Sequence, residues 1–179
     1  MIEKAKTFAA KAHAGQKRKN SNVDYIVHPV RVAKTLKEAG FPEAVICAGY
    51  LHDVVEDTDY DLSDIESHFD TEVKVMVAAH TEDKSKSWNA RKTHTIETLR
   101  GAPLEIKALI IADKLDNLQS LRKDLEREGD AIWTHFKAGY EKQKWYNESI
   151  AEVMEEGLEA EKVPEFFHTY RELVKQTFD

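Results

Sequence analysis

The chain has 179 residues, of which 41% are hydrophobic and 33% are charged, and its formal net charge is −7. The apolar content with interspersed charges excludes a disordered chain, and the acidic balance excludes broad nucleic-acid binding, which needs a basic surface against phosphates. No window has the apolar length of a membrane span, and the single cysteine, Cys47, excludes an intrachain disulfide. We therefore expect one globular domain over residues 1–179, in the cytoplasm and without a membrane partner.

Apolar residues recur at intervals of three and four along the chain, which predicts an all-α fold. A first helix is expected over residues 2–13, followed by a polar loop that carries three adjacent cations at 17–19. A second helix is expected over 29–40, because Pro29 is typical of a first turn, with His28 just before it. The third, over 42–58, is apolar nearly all round and is therefore expected at the centre of the fold.

The rest of the chain continues the helical pattern. Residues 63–66 have the form of a capping box, and a short apolar run follows over 72–80. Helices are then expected over 88–101 and, as the longest, over 103–129, each closed by a glycine. Two or three amphipathic helices complete the sequence, so we expect a compact bundle of roughly eight helices.

The third predicted helix ends in one histidine and several carboxylates: His52, Asp53, Glu56 and Asp57. Burying an unpaired carboxylate costs several kcal/mol, so Asp53 needs a base, hydrogen-bond donors or a metal ion. The same holds for Asp113, which lies in the apolar middle of the longest helix. A helix turns about 100° per residue, so His52 and Asp53 are adjacent on its perimeter and are able to bind one ion.

His28 and Asp113 would complete a ligand set of two histidines and two aspartates. Mixed nitrogen and oxygen ligands suit a six-coordinate Mn or Fe ion with water in the open positions, and Zn, Co and Mg are alternatives. For any one of these residues alone, a helix cap, an ion pair or a surface position is the competing explanation. The metal hypothesis depends on their combination.

The order His28, His52-Asp53, Asp113 resembles the H…HD…D signature of the HD superfamily of metal-dependent phosphohydrolases. Three segments resemble more closely the hydrolase domain of the RelA/SpoT family: AHAGQKRKNSNVDYIVHPVRVA, LHDVVEDT and ADKLDNL. These motifs fall within about residues 12–121. The remaining helices, over about 130–179, resemble the supporting part of small stand-alone HD hydrolases.

The resemblance implies an HD-domain helical bundle that removes pyrophosphate from the 3′ position of guanosine tetra- or pentaphosphate. It implies one divalent ion, Mn in most relatives, with Fe, Co, Zn, Mg or Ni as alternatives, and a small anionic nucleotide as the binding partner. Homo-oligomerisation is left open. The residues it assigns are the metal ligands His28, His52, Asp53 and Asp113, the catalytic acids Glu56 and Asp57, and the substrate contacts Arg18, Lys19 and Asn117.

The sequence departs from the RelA/SpoT pattern at three positions. Lys114 and Asp116 replace the arginine and histidine of the usual Asp-Arg-Leu-His-Asn, and Asp24 replaces a proline. Two further hypotheses therefore stay open. One is an HD phosphatase that acts on another nucleotide or a dinucleotide phosphate, which Lys114 and Asp116 favour. The other is a catalytically silent nucleotide-binding module.

Other histidines and aromatic residues are expected to have structural roles. Trp88 is the exception, because it follows a polar loop and precedes Arg91 and Lys92, so closure over a nucleotide base is an alternative to packing. Surface or packing roles are expected for His68, His80, His94, His135 and His168, and core packing for Trp133, Phe136, Trp145 and Tyr146.

Overall fold

Helices account for the regular secondary structure of the chain, as the periodicity of three and four requires. A computed structural model describes all residues, 1–179. The α-helices are α1 (Ile2–Ala12), α2 (Val27–Glu38), α3 (Glu43–Leu51), α4 (Val54–Asp57), α5 (Leu62–His68), α6 (Thr71–His80), α7 (Trp88–Gly101), α8 (Leu104–Glu128), α9 (Gly139–Val153) and α10 (Glu165–Phe178). Short 3₁₀ helices occupy Gly129–His135 and Ala160–Lys162. The predicted all-α class is confirmed.

Apolar side chains from α1 to α10 form a continuous core. The C-terminal helices share this core, since Phe167 and Tyr170 of α10 are fully buried and α10 packs against α8 and α9. Such continuity supports the expectation of one domain over 1–179, which stays a prediction. None of the helices combines the length and the apolar composition that crossing a bilayer requires.

Helix α3 is the centre of the bundle, as its apolar sequence predicts. It packs against α1, α2, α6 and α8, and every residue from Ala44 to Leu51 except Tyr50 is buried. The helix expected over 42–58 is nevertheless interrupted. Asp53 adopts φ −102° and ψ −2°, in the sparsely populated bridge region, so the chain leaves α3 after Leu51 and restarts as the single turn α4.

Two helix starts differ from the sequence-based boundaries. Helix α2 begins at Val27, two residues before Pro29, so His28 lies inside the first turn rather than before it. The capping box of α5 is formed by Asp61 and Asp64, whose side chains each accept from the other's backbone N–H, and not by residues 63–66. Both helices therefore begin earlier in the chain than their sequence motifs indicate.

The basic loop between α1 and α2 folds back on itself as a short hairpin. Lys17 and Asp24 form an isolated antiparallel bridge and also an ion pair between their side chains. The Asp24 carboxylate, which stands in place of the usual proline, therefore contacts Lys17 across the hairpin. Arg18 reaches α8 from this loop and donates to the side-chain Oδ1 of Asn117 at 3.1 Å.

Gly49 permits the closest approach between α2 and α3, and this contact yields a prediction. A Cβ added there would lie 3.0 Å from the Ala33 Cα and 3.0 Å from the Leu36 Cδ1. Because backbone and core side chains cannot move away freely, Gly49→Ala is expected to lower the free energy of unfolding by about 1–3 kcal/mol, measured by urea denaturation.

Gly101→Ala is the matched control, because no atom lies within 4 Å of the added Cβ at this position in α7. It should unfold at the same urea concentration as the parent chain or slightly higher. Equal stabilities for the two variants would contradict the account of the α2–α3 contact.

Candidate metal centre and adjoining pocket

Three separate elements bring four polar side chains together inside the bundle. His28 comes from the first turn of α2, His52 and Asp53 from the break between α3 and α4, and Asp113 from the middle of α8. None is more than 7% exposed. One nitrogen or carboxylate oxygen from each lies within 4.8 Å of those of the other three, so the group is able to hold a metal ion.

Hydrogen bonds determine which ring nitrogens face the centre of this cluster. The His52 Nδ1 lies 2.7 Å from the Gly49 carbonyl oxygen, and the His28 Nδ1 lies 2.7 Å from the Asp116 Oδ2. Because both partners accept hydrogen bonds, each Nδ1 donates its hydrogen. The two Nε2 atoms then face each other at 3.2 Å, with lone pairs when the rings are neutral. At such distances the two ring nitrogens and the two carboxylates favour a positive charge between them, supplied by protons on the rings or by a metal ion.

Distances within the cluster suit a six-coordinate ion. The His28 Nε2 lies 2.9 Å from the Asp113 Oδ1, and the His52 Nε2 lies 3.0 Å from the Asp53 Oδ2. The other two histidine–carboxylate separations are 3.5 and 3.6 Å. Neighbouring ligand atoms around an octahedral ion with bonds of about 2.1 Å lie about 3 Å apart. A nitrogen and oxygen set without thiolates favours a hard or borderline divalent metal.

The same charges perturb the ionisation of these groups strongly. Burial disfavours the charged form of His52, but the Asp53 and Asp113 carboxylates outweigh burial and hold its pKa well above the usual value. Burial likewise opposes ionisation of Asp113, yet Lys114 and the surrounding histidines keep its pKa well below the usual value. The two carboxylates therefore favour positive charge in the cavity, either on the imidazole rings or as a bound cation.

A second layer of side chains contacts the carboxylates of the cluster. The Tyr25 hydroxyl donates to the Asp53 carboxylate. The Asp113 Oδ2 is bound by the His80 Nε2 at 2.9 Å and the Lys114 Nζ at 3.0 Å, which leaves Oδ1 directed at the histidines. The expectation that His80 has a surface or packing role is thus wrong. No pattern near His80 in the sequence indicates this contact.

The predicted catalytic acids border the same cavity, of about 240 Å³. Asp53, Glu56 and Asp57 form a second group whose carboxylate oxygens lie within 4.8 Å of one another. The Glu56 Oε1 accepts from the Glu82 backbone N–H at 2.7 Å, and Asp57 pairs with Lys84 at 2.8 Å. Burial, with help from the Asp53 charge, raises the pKa of Glu56.

A larger cavity of about 450 Å³, here called the basic pocket, adjoins the metal cavity. The two share Lys92, Lys114 and Asn117 in their walls. Arg18 and Lys19, the predicted substrate contacts from the loop, line the basic pocket, and the Lys19 Nζ lies 4.3 Å from the Phe136 ring centroid.

Two aromatic residues of the basic pocket bear on the sequence-based expectations. Tyr146 is 5% exposed, as expected for a core residue, but it also lines the pocket. Trp88 stands beside it, with 6.1 Å between their ring centroids, so the position expected for closure over a base is at the pocket wall. Trp145 is 41% exposed, so its predicted core role is wrong.

A comparison with known protein families assigns this chain to one of them. A family model described as the HD domain matches residues 5–141, which include the four clustered residues. The chain belongs to the HD-domain family. The predicted family is thereby confirmed, and membership implies a divalent metal ion at the histidine and aspartate cluster.

Two relatives with similar sequences illustrate how much of a known protein this chain matches. This chain is 39% identical to a probable guanosine-3′,5′-bis(diphosphate) 3′-pyrophosphohydrolase of Synechocystis over 127 residues. The match covers 68% of this chain but only 17% of the Synechocystis protein. The human protein MESH1, named a guanosine-3′,5′-bis(diphosphate) 3′-pyrophosphohydrolase, is 39% identical over 122 residues, which cover 66% of this chain and 68% of MESH1.

Two solved structures share the fold of this HD-domain chain. The 1.85 Å crystal structure of lmo0812 from Listeria monocytogenes EGD-e is 52% identical, with a TM-score of 0.82 and coverage of 84% of this chain and 98% of that one. A structure of a metazoan orthologue of SpoT that hydrolyses ppGpp is 26% identical, with a TM-score of 0.80 and coverage of 98% and 94%.

The contact between Asp116 and His28 yields a prediction for metal binding. Both side chains are buried, and the carboxylate fixes the ring so that its Nε2 faces the cluster. Asp116→Asn removes the negative charge behind the ring and is expected to weaken Mn²⁺ binding by about 10–100-fold, measured by isothermal titration calorimetry. Asp130→Asn, which changes an exposed carboxylate, is the control. Equal Mn²⁺ affinity in both variants would contradict the role of Asp116 in orienting His28.

Proposed function

We propose that this chain is a metal-dependent phosphohydrolase that converts ppGpp to GDP and pyrophosphate. The observation that carries the proposal is the buried cluster of His28, His52, Asp53 and Asp113, which borders a cavity containing two further carboxylates and opening into a basic pocket. The names of the Synechocystis and human relatives and the metazoan SpoT orthologue support this substrate.

The four clustered residues would hold one divalent ion, for which Mn²⁺ is our proposal because two nitrogen and two carboxylate ligands suit it. When bound, the ion supplies a water of lowered pKa and offsets negative charge on the phosphoryl oxygens. The imidazole rings are held in place for this purpose by Gly49 and Asp116. A single tautomer of each ring is selected, which keeps both Nε2 atoms free.

Glu56 and Asp57 would orient the attacking water and accept its proton. The Glu82 amide holds the Glu56 carboxylate, and Lys84 holds that of Asp57, so neither has to reorganise during the reaction. The water oxygen forms a bond to the phosphorus attached to O3′, the O3′–phosphorus bond breaks, and O3′ receives a proton. Arg18, Lys19 and Asn117 would hold the nucleotide from the basic pocket side.

Product analysis tests the substrate directly. The Mn²⁺-loaded chain is incubated with ppGpp, and nucleotides and released phosphates are separated by anion-exchange chromatography. We expect equal amounts of GDP and pyrophosphate. Release of inorganic phosphate instead would contradict the position of cleavage, and no turnover with metal bound would direct the assignment to another nucleotide or to a silent binding module.

Two variants separate metal binding from catalysis. Glu56→Gln keeps the four ligands, so it should bind one Mn²⁺ per chain and lose turnover by about 10²–10⁴-fold. Asp53→Ala removes a ligand and should lose both metal and turnover, whereas the exposed Asp59→Ala should change neither. Metal content by elemental analysis and ppGpp hydrolysis are measured on the same samples. Loss of metal in Glu56→Gln would contradict its catalytic role.

A further inference from the structure

The turn that carries the two proposed catalytic acids is too short to be stable by itself. Helix α4 has only four residues, and the backbone amides of Asp57 and Thr58 close its turn with hydrogen bonds of 3.0 Å. A single turn fixes several backbone dihedral angles for each hydrogen bond that it gains, so its formation alone is unfavourable. The placement of Glu56 and Asp57 therefore depends on contacts with other parts of the chain.

Gln16, in the basic loop between α1 and α2, contacts the C-terminal end of this turn. Its side-chain Nε2 donates to the Asp57 backbone carbonyl at 2.9 Å, across 41 positions of sequence. The last carbonyls of a helix have no partner within the helix, so a donor from elsewhere satisfies one of them and fixes the helix end. Asp57 also borders the metal cavity. A contact at its carbonyl therefore acts on the position of its carboxylate.

His13 determines which atom of the Gln16 amide faces the turn. The His13 Nδ1 lies 2.8 Å from the Gln16 Oε1. Because a backbone carbonyl only accepts hydrogen bonds, the Gln16 Nε2 faces Asp57, and its Oε1 accepts from the Nδ1–H of His13. The His13 ring is 2% exposed, and its Nε2 has no hydrogen-bond partner, so Gln16 is the one polar contact of this side chain. A buried donor thus selects one orientation of the amide.

The opposite end of α4 is held from the same loop. The backbone N–H of Tyr25 donates to the Gln16 carbonyl at 2.9 Å, which pairs the two residues at the base of the hairpin. The Tyr25 hydroxyl donates to Asp53, the residue before α4, and the Tyr25 ring packs on the His13 ring with 4.8 Å between centroids. The two ends of α4 are therefore held by paired residues of one hairpin.

We infer that Gln16, oriented by His13, is a positioning residue that keeps Glu56 and Asp57 at the metal cavity. The inference rests on the proposed function and deepens it, because it names the support of the acids that would orient the attacking water. Neither Gln16 nor His13 lines the metal cavity or the basic pocket. Their effect on the reaction is indirect and passes through the backbone of α4.

Steady-state hydrolysis of ppGpp by the Mn²⁺-loaded chain tests this role. Gln16→Met keeps the length of the side chain and removes both hydrogen bonds, so it should lower kcat about 10–100-fold with KM and Mn²⁺ content unchanged. His13→Asn keeps an N–H donor at the position of Nδ1 and should retain the parent kcat, whereas His13→Leu should be as slow as Gln16→Met. Gln119→Met, at an exposed position outside both cavities, is the matched control and should change nothing.

Backbone hydrogen exchange gives a second measurement that needs no substrate. The amides of Asp57 and Thr58 should exchange faster in Gln16→Met than in the parent chain, because their turn loses its support. The amides of α3 should keep the parent rates. This local change separates the loss of one contact from a general loss of stability, which would raise exchange in both helices.

An unchanged kcat in Gln16→Met, or a loss of Mn²⁺ in proportion to the loss of kcat, would overturn the inference. So would equal kcat values for His13→Asn and His13→Leu, since the hydrogen bond would then have no effect. If the parent chain does not hydrolyse ppGpp, the proposed function fails, and faster exchange at Asp57 and Thr58 in Gln16→Met still supports the contact. Hydrolysis by the parent chain with unchanged exchange and kcat in Gln16→Met gives the opposite outcome.

Discussion

The burial of two carboxylates against two imidazoles is the interaction on which the rest of the structure depends. Asp53 and Asp113 lie in the interior of a helical bundle, where an isolated ionised carboxylate would cost several kcal/mol or more. Lys114 balances part of this charge, and His28 and His52 direct their Nε2 atoms toward the remainder. A divalent cation satisfies all four groups together, so ion binding and the stability of this core are coupled.

Three members of the cluster, His28, His52 and Asp113, are each held through an atom that does not face the centre. The backbone carbonyl of Gly49 orients His52, and Gly49 also allows α2 and α3 to approach closely, so one residue serves both packing and ring orientation. Asp116 orients His28, and His80 with Lys114 orients Asp113. These supports come from α3, α6 and α8. The precision of the centre therefore depends on the packing of the whole bundle rather than on one loop.

Sequence patterns predicted local structure well and partners across the fold poorly. Helix α7 spans the predicted residues 88–101, because its cap and closing glycine are local signals. The four clustered residues also follow one another along the sequence in the order of the HD signature. By contrast, the Asp116–His28 contact joins residues 88 positions apart, and nothing local to His80 indicates that Asp113 lies opposite. Periodicity identifies the buried face of a helix but not the groups that face it, and it did not reveal the bridge-region backbone at Asp53.

Carboxylates are concentrated at the metal cavity of this chain, and most charged residues of the adjoining pocket are lysine or arginine. This arrangement suits the proposed hydrolysis of an anionic nucleotide, because a bound cation and the basic side chains would both attract phosphate groups. Anomalous diffraction at the manganese edge from crystals of the Mn²⁺-loaded chain tests the central claim most directly. The account predicts one peak per chain, bonded to the Nε2 atoms of His28 and His52 and to oxygens of Asp53 and Asp113. A peak at another position, or none in the cluster, would contradict it.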